Sequence, residues 1–228
     1  MKRILLRTLV GTAALILFAG CNLLQLPFFI FGPEPTLPPK LQRLATDNED
    51  ETIYVAILTH VLPQERADAA LENLDRELSA YVARHLRAGI DYNKENVKVI
   101  DPRKVLRFQT ENPDWKSWGN EEIGEQLKAD YVVSLEVRNI RLRSYHSSDS
   151  FLRGHAEINV DLTNVTDPDK SPLSGMTCVV DYPKKGAGIE LDFDVSKAEF
   201  KQKFLDVLGK RLSWYFTKHR RIDSFGRD

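Results

Sequence analysis

Ile53-Tyr54-Val55-Ala56-Ile57-Leu58 is a short, almost unbroken apolar run. A strand with one face in water alternates apolar and polar residues. A run without that alternation fits a central strand covered on both faces. The rest of the chain reads outward from this strand.

A Pro63-containing loop follows, and Ala67 to Ala88 reads as a long helix. Leu71, Leu74, Leu78, Val82 and Leu86, with Tyr81 beside them, recur at three- and four-residue steps and form one apolar stripe. Gly89 is a natural C-terminal stop. Asn96 to Ile100 reads as a second strand. Asp101-Pro102 has the form of an N-cap with proline at the first helical position, opening a short helix through Val105, Leu106 and Phe108 that ends near Asn112-Pro113. Trp115 and Trp118 then lie in a loop. Asn120 is a cap for a helix over Glu121 to Ala129, with two acids in its first turn.

Three β segments follow: Asp130 to Ser144, Phe151 to Val165 and Gly175 to Tyr182. They alternate through residues such as Leu135 and Val137, Ile158 and Val160, and Met176, Cys178 and Val180. Polar turns separate them, one holding Asp167-Pro168-Asp169. This is an antiparallel meander with one buried and one polar face. After a Gly-containing loop from Pro183 to Asp194, Ser196 and Glu199 form a capping box. The last helix buries Phe200, Phe204, Val207, Leu208, Leu212 and Tyr215, and His219-Arg220-Arg221 is a basic tail at its end. The order β-α-β-α-α-β-β-β-α specifies a mixed α/β (α+β-like) domain. Its sheet has about five strands, packed by a long helix, short helices and a C-terminal helix.

The first 21 residues have a different logic. Lys2, Arg3 and Arg7 precede an apolar core from Thr8 to Phe18, then the small pair Ala19-Gly20, then Cys21. That is the basic, apolar, small-residue order of a bacterial secretory signal. Phe18-Ala19-Gly20-Cys21 resembles the lipobox of bacterial lipoproteins, although Phe18 stands where leucine is usual. The resemblance implies cleavage before Cys21, a diacylglycerol on its sulfur and an acyl chain on the new amino terminus. Asn22 in place of aspartate implies, by the same likeness, sorting to the outer membrane. The expected organisation is a signal peptide at 1–20, a lipidated Cys21 with a Pro-rich tether to residue 51, and one domain over 52–228. The apolar run from Asn22 to Phe31 leaves two readings open: contact with the membrane interface, or packing on the domain or a partner.

Without residues 1–20 the chain carries 29 Lys+Arg against 33 Asp+Glu, which gives no whole-chain footprint for nucleic acid. With Cys21 lipidated, Cys178 has no cysteine left to pair with. Cys178 falls on the inward side of its strand and is expected to be a buried, inert thiol.

Ile123-Gly124-Glu125-Gln126-Leu127-Lys128-Ala129-Asp130-Tyr131-Val132-Val133-Ser134-Leu135-Glu136-Val137 is a helix end running straight into a long strand. It resembles periplasmic α/β domains of the group that includes the amino-terminal domain of TolB, the penicillin-binding-protein activator LpoB and the curli-secretion lipoprotein CsgG. The resemblance covers roughly Thr52 to Phe216 in element order. It implies partner binding or scaffolding in the envelope and no catalytic residues.

No residue set argues for chemistry. His60, His85, His146, His155 and His219 lack zinc-site spacing. Glu190, Asp192 and Asp194 alternate along a loop without an EF-hand pattern. Ser144 to Ser150 sets serine, histidine and aspartate side by side, which reads as a polar turn because a triad must converge in space. Lys184-Lys185-Gly186-Ala187-Gly188 lacks the order of a phosphate loop. The expectation is a membrane-anchored envelope lipoprotein, periplasm-facing, without cofactor or metal, that binds an envelope protein or cell-wall component. Trp115, Trp118, Arg220 and Arg221 are the candidate contacts. Two alternatives stand beside it: a subunit of a secretion channel or ring, and a hydrolase or small-ligand binder. The oligomeric state is not fixed by the sequence.

Overall fold

The computed structural model describes residues 35–46, 48, 50–62, 71–142, 151–184, 188–190 and 196–221. Cys21, the 144–150 turn, Asp192 and Asp194 lie outside the described residues, as do residues 63–70.

The described strands are β1 (Thr36–Leu37), β2 (Ile53–Val61), β3 (Val97–Val99), β4 (Tyr131–Arg141), β5 (Phe151–Leu152), β6 (Gly154–Asn164), β7 (Met176–Tyr182), β8 (Ile189–Glu190) and β9 (His219–Arg220). The helices are α1 (Leu74–Asn93), α2 (Pro102–Glu111), α3 (Asn120–Leu127) and α4 (Lys197–Ser213). The main sheet has five strands in the order β3-β2-β4-β6-β7. β2 runs parallel to both β3 and β4, with Ile53 opposite Val97 and Val55 opposite Tyr131. β4, β6 and β7 form the antiparallel meander.

The centre of β2 is buried on both faces because two helical layers sandwich it, but Tyr54 near its start, expected to be covered, is 41% exposed. Val55, Ile57 and Val61 enter the larger core, and Ala56 and Leu58 enter the smaller one. The larger core lies between the sheet and α1 with α4, which contribute Leu78, Val82, Leu86, Phe200, Phe204 and Leu208. The smaller core lies under α2 and α3, through Val105, Phe108, Ile123 and Leu127. Val132 of β4 faces this second layer, so the start of the meander is covered on both sides. Further along, β6 keeps the expected alternation: Ala156, Ile158, Val160 and Leu162 are buried, and the residues between them are not. Cys178 and Val180 of β7 are buried, but Met176, expected beside them, is exposed at the strand end.

Several local expectations are corrected. Gly89 does not stop α1, which continues to Asn93 and closes on Lys94 in the left-handed conformation. Gly89 is instead a point of close approach: a Cβ there would come within 2.6 Å of the Thr217 side chain. Asn120 is the first residue of α3 and not its cap, and its side-chain amide donates to Thr163 Oγ1 at 3.2 Å. The two other N-cap side chains accept the expected amides, while the Glu199 carboxylate pairs with Lys203. Asp101 accepts from the Arg103 amide at 2.9 Å, and Ser196 accepts from the Glu199 amide at 3.1 Å.

The largest difference concerns the tether. Residues 36–45 are docked on the domain and not part of a free linker. Thr36 and Leu37 pair antiparallel with Arg220 and His219. The amides of Lys40, Leu41 and Gln42 donate to the carbonyls of Trp214 and Tyr215 at 3.0–3.1 Å. Leu44 is 1% exposed, within the larger core. Prolines in this segment favour an extended backbone, which suits a spacer and an added strand equally well. The apolar anchors Leu41 and Leu44 and the unpaired carbonyls beyond α4 settle the choice.

Candidate functional site

The segment after α4 organises the surface of greatest interest. Helix α4 ends at Ser213, and Trp214-Tyr215-Phe216 turn beneath the docked leading segment. All three rings are buried. Trp214 is the pivot. The His219 ring stacks on it at 4.5 Å between centroids, with planes 6° apart. The Arg211 guanidinium lies 4.4 Å from its ring centre, and the ammonium groups of Lys40 and Lys210 lie 5.9 and 6.0 Å away. Cations beside an indole are attracted by the ring quadrupole, so one buried aromatic gathers three positive charges at the surface.

Two grooves flank this pivot. The larger, 470 Å³, lies between the second half of α1, the end of α4 and β9. Its walls include His85, Tyr92, Asp206, Lys210, Lys218 and Arg220. Tyr92 is 53% exposed, and the Arg220 guanidinium sits 5.9 Å from its ring centre. The carboxylate of Asp206 is held by Arg84 and by His85 Nε2, the latter at 2.6 Å. The floor is fixed from α1: the Asn93 amide donates to Thr217 Oγ1 at 2.9 Å and to the Lys218 carbonyl at 2.8 Å. Arg220 was expected on a tail at the end of the last helix, but it belongs to strand β9. Arg221 follows β9 and is exposed.

The smaller groove, 260 Å³, lies beside β7 and is lined by Lys40, Lys184, Arg211, Asp181, Cys178 and Tyr215. Asp181 faces His155 Nδ1 at 3.0 Å. Burial pushes the Cys178 thiol above its ordinary range, against the opposing effects of a hydrogen bond with Tyr215 and the charges of Lys40 and Arg211. Burial likewise raises the Tyr215 phenol, with the neighbouring Cys178 adding to the effect. Both groups therefore favour their neutral forms in the fold. Their contribution to stability is complete below the ordinary thiol range, near pH 9.0, and is lost as pH rises through the raised values. The expected result is negligible alkylation of Cys178 by iodoacetamide in the native protein at pH 8 and full alkylation in denaturant. Rapid native labelling would contradict the buried placement.

Trp115 and Trp118 lie elsewhere, against the smaller core. Trp118 meets Phe108 edge to face at 5.6 Å, and Trp115 meets His60 at 6.4 Å. Both are half-buried and line a 120 Å³ cleft with His60, Asn120 and Ser134. The sequence-chosen residues thus separate into two places: the tryptophan pair on the α2–α3 side, and Arg220 and Arg221 by the leading segment. The pivot Trp214 and the cations around it were missed. The readable signals were the three consecutive aromatics 214–216 and the Leu37-Leu41-Leu44 spacing inside a Pro-rich stretch.

No family model matches the chain, and no curated protein matches it. Among solved structures, a PelC dodecamer from Paraburkholderia phytofirmans is 10% identical, with a TM-score of 0.39, over 79% of this chain and 96% of that one. The hypothetical protein CT253 from Chlamydia trachomatis is 17% identical, with a TM-score of 0.42, over 72% and 98%. Lipoprotein GNA1162 from Neisseria meningitidis is 11% identical, with a TM-score of 0.39, over 60% and 88%. No helix among the described residues is long and apolar enough to cross a membrane.

Proposed function

We propose that this chain is a non-catalytic, lipid-anchored envelope protein, facing the periplasm from the outer membrane, whose α/β domain binds another envelope protein or a cell-wall component. The observation that carries this reading is the order of residues 1–21: three basic residues, an apolar core, Ala19-Gly20 and then Cys21. Two or more acyl chains hold a protein stably to a bilayer, at about 0.8 kcal/mol per buried methylene. The likeness of the 123–137 run to the TolB, LpoB and CsgG group supports an interaction role over a chemical one.

The function works by tethering. Because residues 36–45 are docked, the stretch between Cys21 and the domain is shorter than the composition suggests. The fourteen peptide steps from Cys21 to Pro35 reach at most ~50 Å. A short tether raises the domain's effective concentration at a membrane-bound partner without any new contact. The half-buried pair Trp115 and Trp118 offers the partner aromatic surface, the type most enriched at binding hot spots.

Two measurements test this. Intact mass of membrane-extracted protein is expected to show loss of residues 1–20 and addition of diacylglycerol and one acyl chain. Cys21→Ser should shift the protein out of the membrane fraction. An unmodified terminus at Met1 would remove the anchor. In-cell photocrosslinking from position 116, exposed beside Trp115, is expected to give a discrete adduct with a second envelope component. Recovery of the uncrosslinked monomer alone, across growth conditions, would remove the partner.

A further inference from the structure

The two edges of the main sheet are finished differently. β3, at one edge, has three residues and carries Lys98 at its centre. A short edge strand with a lysine resists pairing with another chain. β7, at the other edge, has seven residues, Met176-Thr177-Cys178-Val179-Val180-Asp181-Tyr182, with neither lysine nor proline among them. Among the described residues it pairs with β6 alone, and no other backbone-to-backbone bond reaches it. Every second amide and carbonyl of such an antiparallel edge strand points away from the sheet. The Thr177 carbonyl accepts from the Tyr215 hydroxyl at 3.3 Å, a long bond that leaves a lone pair for a second donor. Cys178 to Asp181 line the 260 Å³ groove, so the edge is open along its centre. Its surroundings are apolar. Leu173, Met176 and Val179 are 106%, 40% and 58% exposed, and they make up three of the five large hydrophobic residues that reach solvent among the described residues.

We infer that β7 is an interface between two copies of this chain, which pair edge to edge, antiparallel, across a two-fold axis at Val179. The occupant is read from the strand itself, because β7 is complementary to its own reverse. Val179 is the midpoint of the strand, so this register pairs all seven residues. With Val179 opposite Val179 of the second copy, Thr177 falls opposite Asp181, Cys178 opposite Val180 and Met176 opposite Tyr182. Side chains directly opposite one another share a face of the sheet and interact as pairs. The polar face then carries a threonine–aspartate pair on each side of the valine pair. The core face carries only apolar pairs, with the Met176 thioether beside an aromatic ring. Met176, exposed at the strand end in the single chain, is covered by this pairing. An axis at Asp181 would instead set two like charges opposite each other. Pro183, which has no amide hydrogen, ends the shared ladder. The joint uses the same patch on both copies and closes at two, unlike the head-to-tail contacts of a ring. It needs neither the lipid anchor nor the tryptophan pair.

The test uses the full chain, first in intact cells and then extracted in detergent. Val179→Cys, oxidised with copper–phenanthroline in cells, is expected to give a disulfide-linked dimer. Directly opposite Cβ atoms lie ~4.5–5.5 Å apart, close to the ~3.5–4.5 Å that a disulfide spans. Lys116→Cys, also exposed but on the turn after α2, is expected to give no more dimer than the parent, which also subtracts any linkage through Cys21. In detergent, sedimentation should show the parent as a dimer. Val179→Lys should weaken that dimer about ten-fold, through one apolar pair lost and one like-charge pair gained. Hydrogen exchange of the amides at 177–181 is expected to be slow in the parent dimer and fast in the Val179→Lys chain. A parent that sediments as a monomer, a dimer that Val179→Lys leaves intact, or Val179→Cys linkage no greater than that of Lys116→Cys would each overturn the inference. Slow exchange at 177–181 in a monomeric Val179→Lys chain would assign the edge to another segment of the same chain, and would overturn it too. Circular dichroism melts check that the lysine variant is folded. If it is not, the cysteine pair decides the outcome without a change of charge.

Discussion

Trp214→Ala is expected to destabilise the protein by about 3–5 kcal/mol and to release the leading segment from the domain. The magnitude is that of emptying a fully packed aromatic site, a large share of the ~5–15 kcal/mol that holds a typical domain. Trp214 is buried under the segment it supports. Its loss removes the stacking partner of His219, and with it the side chain that positions β9. β1 then loses its pairing strand, and the amides of Lys40, Leu41 and Gln42 lose the fixed carbonyls of residues 214 and 215. Denaturant unfolding measures the first effect. Limited trypsin digestion measures the second, with rapid cleavage after Lys40 or Arg43 in the variant and slow cleavage in the parent. A variant that unfolds earlier yet keeps Lys40 and Arg43 protected would show that Leu41, Leu44 and the Arg43–Glu95 ion pair hold the segment without Trp214.

Gly209→Val should cost about 3 kcal/mol, the upper part of the range for overpacking. Glycine within a helix is unfavourable by roughly 0.5–1 kcal/mol relative to alanine, so its place in α4 needs a reason. A Cβ at 209 would lie 2.8 Å from Tyr81 Cβ and 2.9 Å from the Tyr81 carbonyl carbon. The second contact is backbone, which cannot swing aside as a side chain does. The helices would have to separate at their crossing, straining the Glu77–Lys201 ion pair (2.5 Å) and the Arg84–Asp206 and His85–Asp206 contacts. Thermal unfolding is expected to show a large drop in midpoint. Gly209→Ala should give a smaller loss, about 1–2 kcal/mol. Equal stability of both variants and the parent would mean that the crossing is loose.

The grooves beside Trp214 and the helix crossing are connected. Lys210 follows Gly209, and Asp206 lies one turn before Lys210. A displaced α4 would therefore alter both grooves as well as the core.

The sequence by itself determined the element order and the layered core, because each signal is local. The unbroken run at Ile53 dictates burial on both faces from Val55 to Leu58, though not at Tyr54, and the 3.6-residue stripes of α1 and α4 dictate which sides meet the sheet. Asp101-Pro102 and Ser196-x-x-Glu199 fix two helix starts within four residues each. The proposed lipid-attachment signal ending at Cys21 is local too, since it rests on consecutive residues and not on a partner segment. The tertiary structure alone decided where the chain joins the domain. The β1–β9 ribbon pairs residues more than 180 positions apart, and two-residue strands leave no periodicity to read. Gly89 read as a stop because only the fold reveals Thr217 against it. The clustering of Lys40 with Lys210 and Arg211 is invisible for the same reason: Trp214 brings distant charges together only after Leu44 and the carbonyls beyond α4 have captured the leading segment.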